Sequence, residues 1–232
     1  MRVKLNGIVA ADEDLKIYQL FGYQAFGPET VRNALETNPQ GEELIFEINS
    51  GGGSVWAGSE IYSVIRSSGV KTRAEIQSLA ASAASYLAMG CDVVQMSPVA
   101  QMMMHLPATR TSGDRKDHSE SIQFLDSVAE SILNVYEAKS KGKKTRAELA
   151  SMMAATTWLT AQEAEAAGLV DGILYQDAPS DVLNAAGGAC GIPDISTLRA
   201  EYRKLKGEPP ATSNHEWQQQ ARQLLDIEKI RF

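Results

Sequence analysis

The segment Asn49-Ser50-Gly51-Gly52-Gly53 most constrains how this chain can fold. Before it runs Leu44 to Ile48, a compact apolar stretch too short for a helix and typical of a buried strand. Three successive glycines then break any regular element and supply conformations closed to other residues. After them Val55, Ile61, Tyr62 and Ile65 recur at helical spacing up to about Arg66. Strand, glycine turn, helix is the unit, and it has neighbours of the same kind. Val3 to Val9 alternates loosely as a first strand, and Gly27-Pro28-Glu29-Thr30 opens a short helix that holds Val31 and Leu35 and ends near Asn38-Pro39-Gln40-Gly41. Val70 to Ile76 reads as a strand, Ala80 to Met89 as a buried small-residue helix, and Val93 to Met96 and Gln101 to Met104 as two short strands around Pro98. This order predicts an α/β fold built from βαβ units with right-handed crossovers.

Further on the pattern turns helical. Ile122, Leu125, Val128, Ile132 and Val135 predict one long amphipathic helix over Asp117 to Lys139, closed by Lys141-Gly142-Lys143-Lys144. Thr145 with Glu148, and Thr160 with Glu163, have the spacing of capping boxes and open two more helices. Gly168 to Leu174 reads as a last strand. After Asp177 the composition shifts, so the predicted organisation is a domain over 1–176 and an extension over 177–232. The extension holds a Gly- and Ala-rich stretch at Ala185 to Pro193, a linker at Gly207 to Asn214, and a terminal amphipathic helix over Glu216 to Phe232.

Composition excludes several function classes. With 44% hydrophobic and 22% charged residues in 232, the chain can build a core and is not wholly disordered. No apolar run reaches the ~18 residues of a membrane span, and the start of the chain has no secretory h-region. A net charge of −7 lacks the footprint of a nucleic-acid binder. Cys91 and Cys190 form no CxxC pair and suit a reducing compartment, and His105, His118 and His215 fall in separate segments with no metal-ligand spacing. The expectation is a cytoplasmic protein with no cofactor, no metal, no nucleic-acid partner and no membrane association.

Three segments can carry chemistry. Glycines between a buried strand and a helix place bare N–H groups at a helix start, where they can hold a phosphate or a reaction oxyanion. No Gly-Lys-Ser/Thr follows them, so this is not a nucleotide phosphate loop. In Leu79-Ala80-Ala81-Ser82-Ala83-Ala84-Ser85, a serine among small residues lies between strand and helix. That is the setting of a nucleophile elbow or, more blandly, of an N-cap. Ser85, one turn on, reads as packed in the helix. In Met102-Met103-Met104-His105-Leu106-Pro107 an apolar strand delivers one histidine before a break. It is a base if it meets Ser82 in space and a structural residue otherwise. The methionines read as core.

In order and spacing these segments, with Trp158-Leu159-Thr160-Ala161 and Gly168-Leu169-Val170-Asp171, resemble the Clp protease proteolytic subunit family, ClpP, over about Asn6 to Tyr175. The likeness is to its phage and prophage prohead-maturation type. The resemblance implies a ClpP/crotonase-like fold of repeated β-β-α units with a protruding handle helix. It further implies a serine endopeptidase with Ser82 as nucleophile, His105 as general base, and the N–H groups of Gly53 and Ala83 as oxyanion hole. Implied partners are a polypeptide substrate such as a capsid or scaffold protein, further copies of the chain in a homo-oligomeric ring (heptamer or tetradecamer in the family), and a separate ATPase unfoldase. The implied setting is the host cytoplasm or the assembling virion.

One position departs from the family. Its third triad member, an acid, falls at Thr156, and no carboxylate lies between Glu148 and Glu163. A threonine hydroxyl can orient an imidazole but cannot stabilise an imidazolium by charge. Three outcomes stay open: a weak Ser-His enzyme, recruitment of another acid such as Asp114, Asp117 or Asp171, or an inactive protein. The departure also motivates the alternative function of a catalytically weakened homologue serving as an assembly or scaffold protein. An acyl-CoA enzyme of the crotonase type is a further alternative, although it would not require the Ser82 and His105 pair.

Overall fold

The computed structural model describes residues 1–175. The predicted linker, the terminal helix, Cys190 and His215 lie outside the described residues.

The chain opens with β1 (Arg2–Val9), a 3-10 turn at Asp12–Asp14, α1 (Leu15–Leu20) and β2 (Ala25–Phe26). Next come α2 (Pro28–Thr37), β3 (Leu44–Gly53), α3 (Val55–Ser67), β4 (Thr72–Ala81), α4 (Ala83–Ala88), β5 (Val93–Met96) and β6 (Gln101–Met104). The described part closes with α5 (Arg115–Ser140), α6 (Arg146–Ala154), β7 (Thr157–Thr160), α7 (Ala161–Ala166) and β8 (Gly172–Ile173). Eight strands form one sheet in the order β2-β1-β3-β4-β5-β8, with β6 joined to the far end of β4 and β7 to β6. Every pairing is parallel except β6 with β7.

Apolar helices cover one face of this sheet. In β3 the side chains of Leu44, Phe46 and Ile48 are fully buried, while Ile45 and Glu47 between them are only half-buried. The apolar run predicted as a strand buried throughout is therefore a strand covered on one side. Its buried face packs with Leu5, with Ile61 and Ile65 of α3, and with Ala84 and Leu87 of α4 in one core. The opposite face is polar. There Arg2 bridges Glu47 at 2.6 Å and Glu75 at 2.8 Å, and Arg73 pairs with Glu43 at 3.0 Å. Hydrogen bonds to Glu75 and Glu47 hold the Arg2 guanidinium well above its usual pKa.

Other differences from expectation have local causes. β3 and β4 run on to Gly53 and Ala81, because their pairing resumes past an irregularity between Ile48 and Ser50. The small-residue helix thus starts only at Ala83. The expected last strand shrinks to two residues. Gly168 takes φ +76°, and the N–H groups of Leu169 and Val170 turn back to the Ala164 carbonyl, so both side chains are buried as a helix end. Among the described residues the expected strict β-β-α repetition is not found: single helices separate β3 from β4 and β4 from β5, and only β5 and β6 are successive strands before a helix.

Helix α5 is roughly 39 Å long at 1.5 Å per residue. Its apolar stripe is unevenly covered: Ile132 and Leu133 are buried, Leu125 and Val128 half-buried, and Ile122 exposed. No residue from Arg115 to Ser131 is buried.

Candidate active site

The parallel ladder places the site. Leu79, Ala80 and Ala81 of β4 pair with Gln101, Met102 and Met103 of β6, and the Ser82 N–H continues the ladder to the Met103 carbonyl at 2.9 Å. Ser82 and His105 are therefore the residues just past the ends of two neighbouring strands. His105 Nε2 lies 2.7 Å from Ser82 Oγ. Ser82 has φ 55° and ψ −124°, and its side chain makes no cap bond. The bland N-cap alternative is thus not what the structure holds. A non-glycine residue in such a region is strained by about 1–3 kcal/mol, and strain of this kind marks the sharp strand-to-helix turn of nucleophile elbows.

The glycine segment lies against this turn. A Cβ on Gly52 (φ +91°) would stand 2.6 Å from the Ala81 carbonyl oxygen, 2.7 Å from Ser82 Cβ and 3.0 Å from the Ala83 nitrogen. One on Gly53 (φ +153°) would stand 2.1 Å from the Val9 carbonyl oxygen. Only glycine fits at either position. Ala83 is the first residue of α4 and is buried, and a first-turn N–H has no acceptor within its own helix. Ser50, whose role the sequence did not announce, pins the segment from below. Its buried hydroxyl donates to the Gly7 carbonyl at 2.6 Å and accepts the Gly52 N–H at 3.1 Å.

Beside Gly53 opens a pocket of about 230 Å³ between Val55 and Trp56 on one side and Pro107, Thr109 and Phe124 on the other. It adjoins a second of about 300 Å³ between α3 and α5, with which it shares Val55, Trp56, Phe124 and Val128.

Thr156 stands where an acid would be expected. β6 and β7 pair antiparallel through Met104 and Thr157, so the next facing positions are His105 and Thr156. Thr156 is exposed, has φ 53°, and forms no side-chain hydrogen bond among the described residues. The three carboxylates considered as replacements are engaged elsewhere. Asp114 accepts the N–H groups of Lys116 and Asp117 at 2.7 and 3.1 Å, and Asp117 accepts that of Asp114 at 2.8 Å, as the cap of α5. Asp171 accepts the Val94 N–H at 2.8 Å and the Lys139 ammonium. Partial burial works against its charge, but these bonds outweigh it and hold the carboxyl below its usual range. Among the described residues no carboxylate bonds to His105. Cys91 offers no second nucleophile: it is buried, and burial pushes its thiol up to about 12.

Comparison with known proteins gives a consistent relationship. The Clp protease family model matches residues 32–177. The ATP-dependent Clp protease proteolytic subunit 1 of Chlamydia abortus is 31% identical over 144 residues, covering 60% of this chain and 73% of that protein. The subunit 1 of Chlamydia pneumoniae is 31% identical over 148 residues, covering 61% and 75%. The ATP-dependent Clp protease proteolytic subunit of Pleurastrum terricola is 27% identical over 139 residues, covering 59% and 70%.

Proposed function

Since the chain belongs to the Clp protease family, we propose that it is a serine endopeptidase working through Ser82 and His105. The observation that carries this reading is the 2.7 Å approach of His105 Nε2 to a serine hydroxyl on a strained elbow. In the proposed reaction His105 takes the Ser82 proton as Oγ attacks a peptide carbonyl. The N–H groups of Gly53 and Ala83 hold the oxyanion of the tetrahedral intermediate, which collapses to an acyl-enzyme as His105 returns the proton to the leaving amine. Water then releases the acyl group by the same path. Thr156 sets the rate. With no carboxylate to stabilise the imidazolium, turnover falls by up to ~10⁴ against a complete triad.

The substrate we propose is a polypeptide, and the setting maturation of a phage capsid by a homo-oligomeric assembly. That setting rests on the likeness to prohead-maturation proteases that the sequence suggests. Relatives are named as proteolytic subunits of ATP-dependent proteases. This chain carries no Gly-Lys-Ser/Thr phosphate loop, so any use of ATP falls to a separate unfoldase. The bare His105 favours a second reading, a catalytically weakened homologue acting in assembly.

Fluorophosphonate labelling, located by peptide mass spectrometry, separates the two. The protease reading expects labelling at Ser82 that Ser82→Ala abolishes and Thr156→Asp accelerates at least tenfold. Aspartate tolerates a positive φ better than the β-branched threonine, so this variant is compatible with the backbone. An unlabelled wild type together with a labelled Thr156→Asp variant would establish the second reading.

A further inference from the structure

Ser85 lies one helical turn past Ser82 and is fully buried. Its hydroxyl has one proton and donates it to the Ser82 carbonyl at 2.6 Å. The Ser85 N–H reaches the same oxygen at 3.0 Å. Tyr136 Oη of α5 is 2.7 Å from Ser85 Oγ. Because the Ser85 proton is already committed, the phenol must be the donor in this second bond. Burial raises the Tyr136 pKa, so the phenol keeps its proton. The result is a directed chain, Tyr136 O–H to Ser85 O–H to the Ser82 carbonyl, closed to water at both hydroxyls.

The carbonyl of Ser82 and the N–H of Ala83 belong to one planar trans peptide and point in opposite directions. Whatever holds that carbonyl toward α5 aims the Ala83 N–H away from it. The same peptide fixes ψ of Ser82, which is −124° with φ at 55°. We propose that Ser85 and Tyr136 are positioning residues: by gripping the Ser82 carbonyl they hold the Ser82–Ala83 peptide in its strained orientation, present the Ala83 N–H to the oxyanion, and tie the nucleophile to α5. The proposal rests on the reading of Ser82 as nucleophile and adds to it two residues that touch no substrate.

The test uses the full chain and the variants Tyr136→Phe, Ser85→Ala and their double. Three quantities are read: the rate of fluorophosphonate labelling at Ser82, the thermal midpoint, and the Ser82 conformation in crystal structures. Each single variant is expected to stay folded and to label about tenfold slower, short of the 10²–10³ that complete loss of an oxyanion donor costs. The double variant is expected to label no slower than Ser85→Ala, because Tyr136 acts through Ser85. A merely structural pair would lower the midpoint and leave the labelling rate of folded protein unchanged, and that result overturns the proposal, as would losses that multiply in the double variant. A wild type that never labels overturns Ser82 as nucleophile. The crystal structures then decide the positioning alone: a Ser82–Ala83 peptide that rotates in Ser85→Ala upholds it, and one whose Ser82 ψ stays near −124° overturns it.

Discussion

Gly51 and Gly52 are neighbours in the same strand end and should respond in opposite ways to one methyl group. A Cβ on Gly51 meets nothing within 4 Å, whereas one on Gly52 meets the Ala81 carbonyl, Ser82 and the Ala83 nitrogen at a φ of +91°. Gly51→Ala should change stability by no more than about 0.5 kcal/mol and leave Ser82 labelling intact. Gly52→Ala should destabilise by about 1–3 kcal/mol through strain alone and slow labelling more than tenfold. Urea unfolding and the labelling rate, measured on both variants, check this. Equal behaviour of the two would mean that Gly52 is not what shapes the elbow. At this scale the sequence showed which residues could meet: a serine and a histidine, each at the end of a strand. It could not show Ser85 and Tyr136 as a pair, because 51 positions separate them and neither carries a motif. Nor could it show that Asp171 is engaged elsewhere, since its partners are set by tertiary packing, whereas the Asp114–Asp117 cap is local and is masked by a helix expected to begin at Asp117.

Between elements, the tie with the clearest chemical handle is the Lys139–Asp171 pair, which joins the end of α5 to the segment leading into β8. Lys139 is only 8% exposed and Asp171 is 30% exposed, so solvent screens the pair less than a surface contact. Asp171 has a depressed pKa in the folded state. A depressed carboxylate contributes stability that is present above its unfolded pKa of ~4 and is lost as pH falls through the lower folded value. Asp171→Asn keeps an acceptor for the Val94 N–H and removes the charge facing Lys139. It should cost about 2 kcal/mol at pH 7 and proportionally less below pH ~4, where the wild type loses the same interaction. Thermal midpoints from pH 7 to pH 3 would show the two curves converging, and parallel curves would refute the assignment. Elements were legible where periodicity was strong. α3, α5, β5 and β6 match their sequence patterns, and α5 begins at its Asp114 cap rather than at Asp117. β7 was missed because Thr157-Trp158-Leu159-Thr160 is short and sits between two helical signals, and α1 because it is only six residues long, with Ile17 and Leu20 exposed and Leu15 and Tyr18 no more than half-buried.

At the scale of the molecule, the exposed part of α5 calls for an explanation. Ile122 is 60% exposed and Phe124 46%, and Phe124 leans on an exposed Trp56 with ring centroids 5.9 Å apart. A stripe that continues the amphipathic pattern of a well-packed helix, yet finds no cover among the described residues, is the kind of surface that the proposed self-assembly would bury. Trp56 and Phe124, though not Ile122, wall the pocket beside Gly53, so cover over this end of the helix bears on access to the site. Ile122→Glu places a charge on the stripe without touching the core and should change the protomer's own stability by less than about 0.5 kcal/mol. Light scattering after size exclusion should then show the wild type well above the 25.1 kDa of one chain and the variant shifted toward it. Labelling of Ser82 in the separated species reads the consequence for chemistry. The Ser82 to His105 contact is complete within one chain, so the nucleophile should label in both species. On the proposed reading, assembly covers Trp56 and Phe124 at the mouth of the pocket, so cleavage of a long polypeptide should fall with dissociation even though the pocket wall itself stays within one chain. A wild type found only as a monomer would mean that the stripe serves something other than self-assembly, and equal cleavage by both species would uncouple that surface from the site.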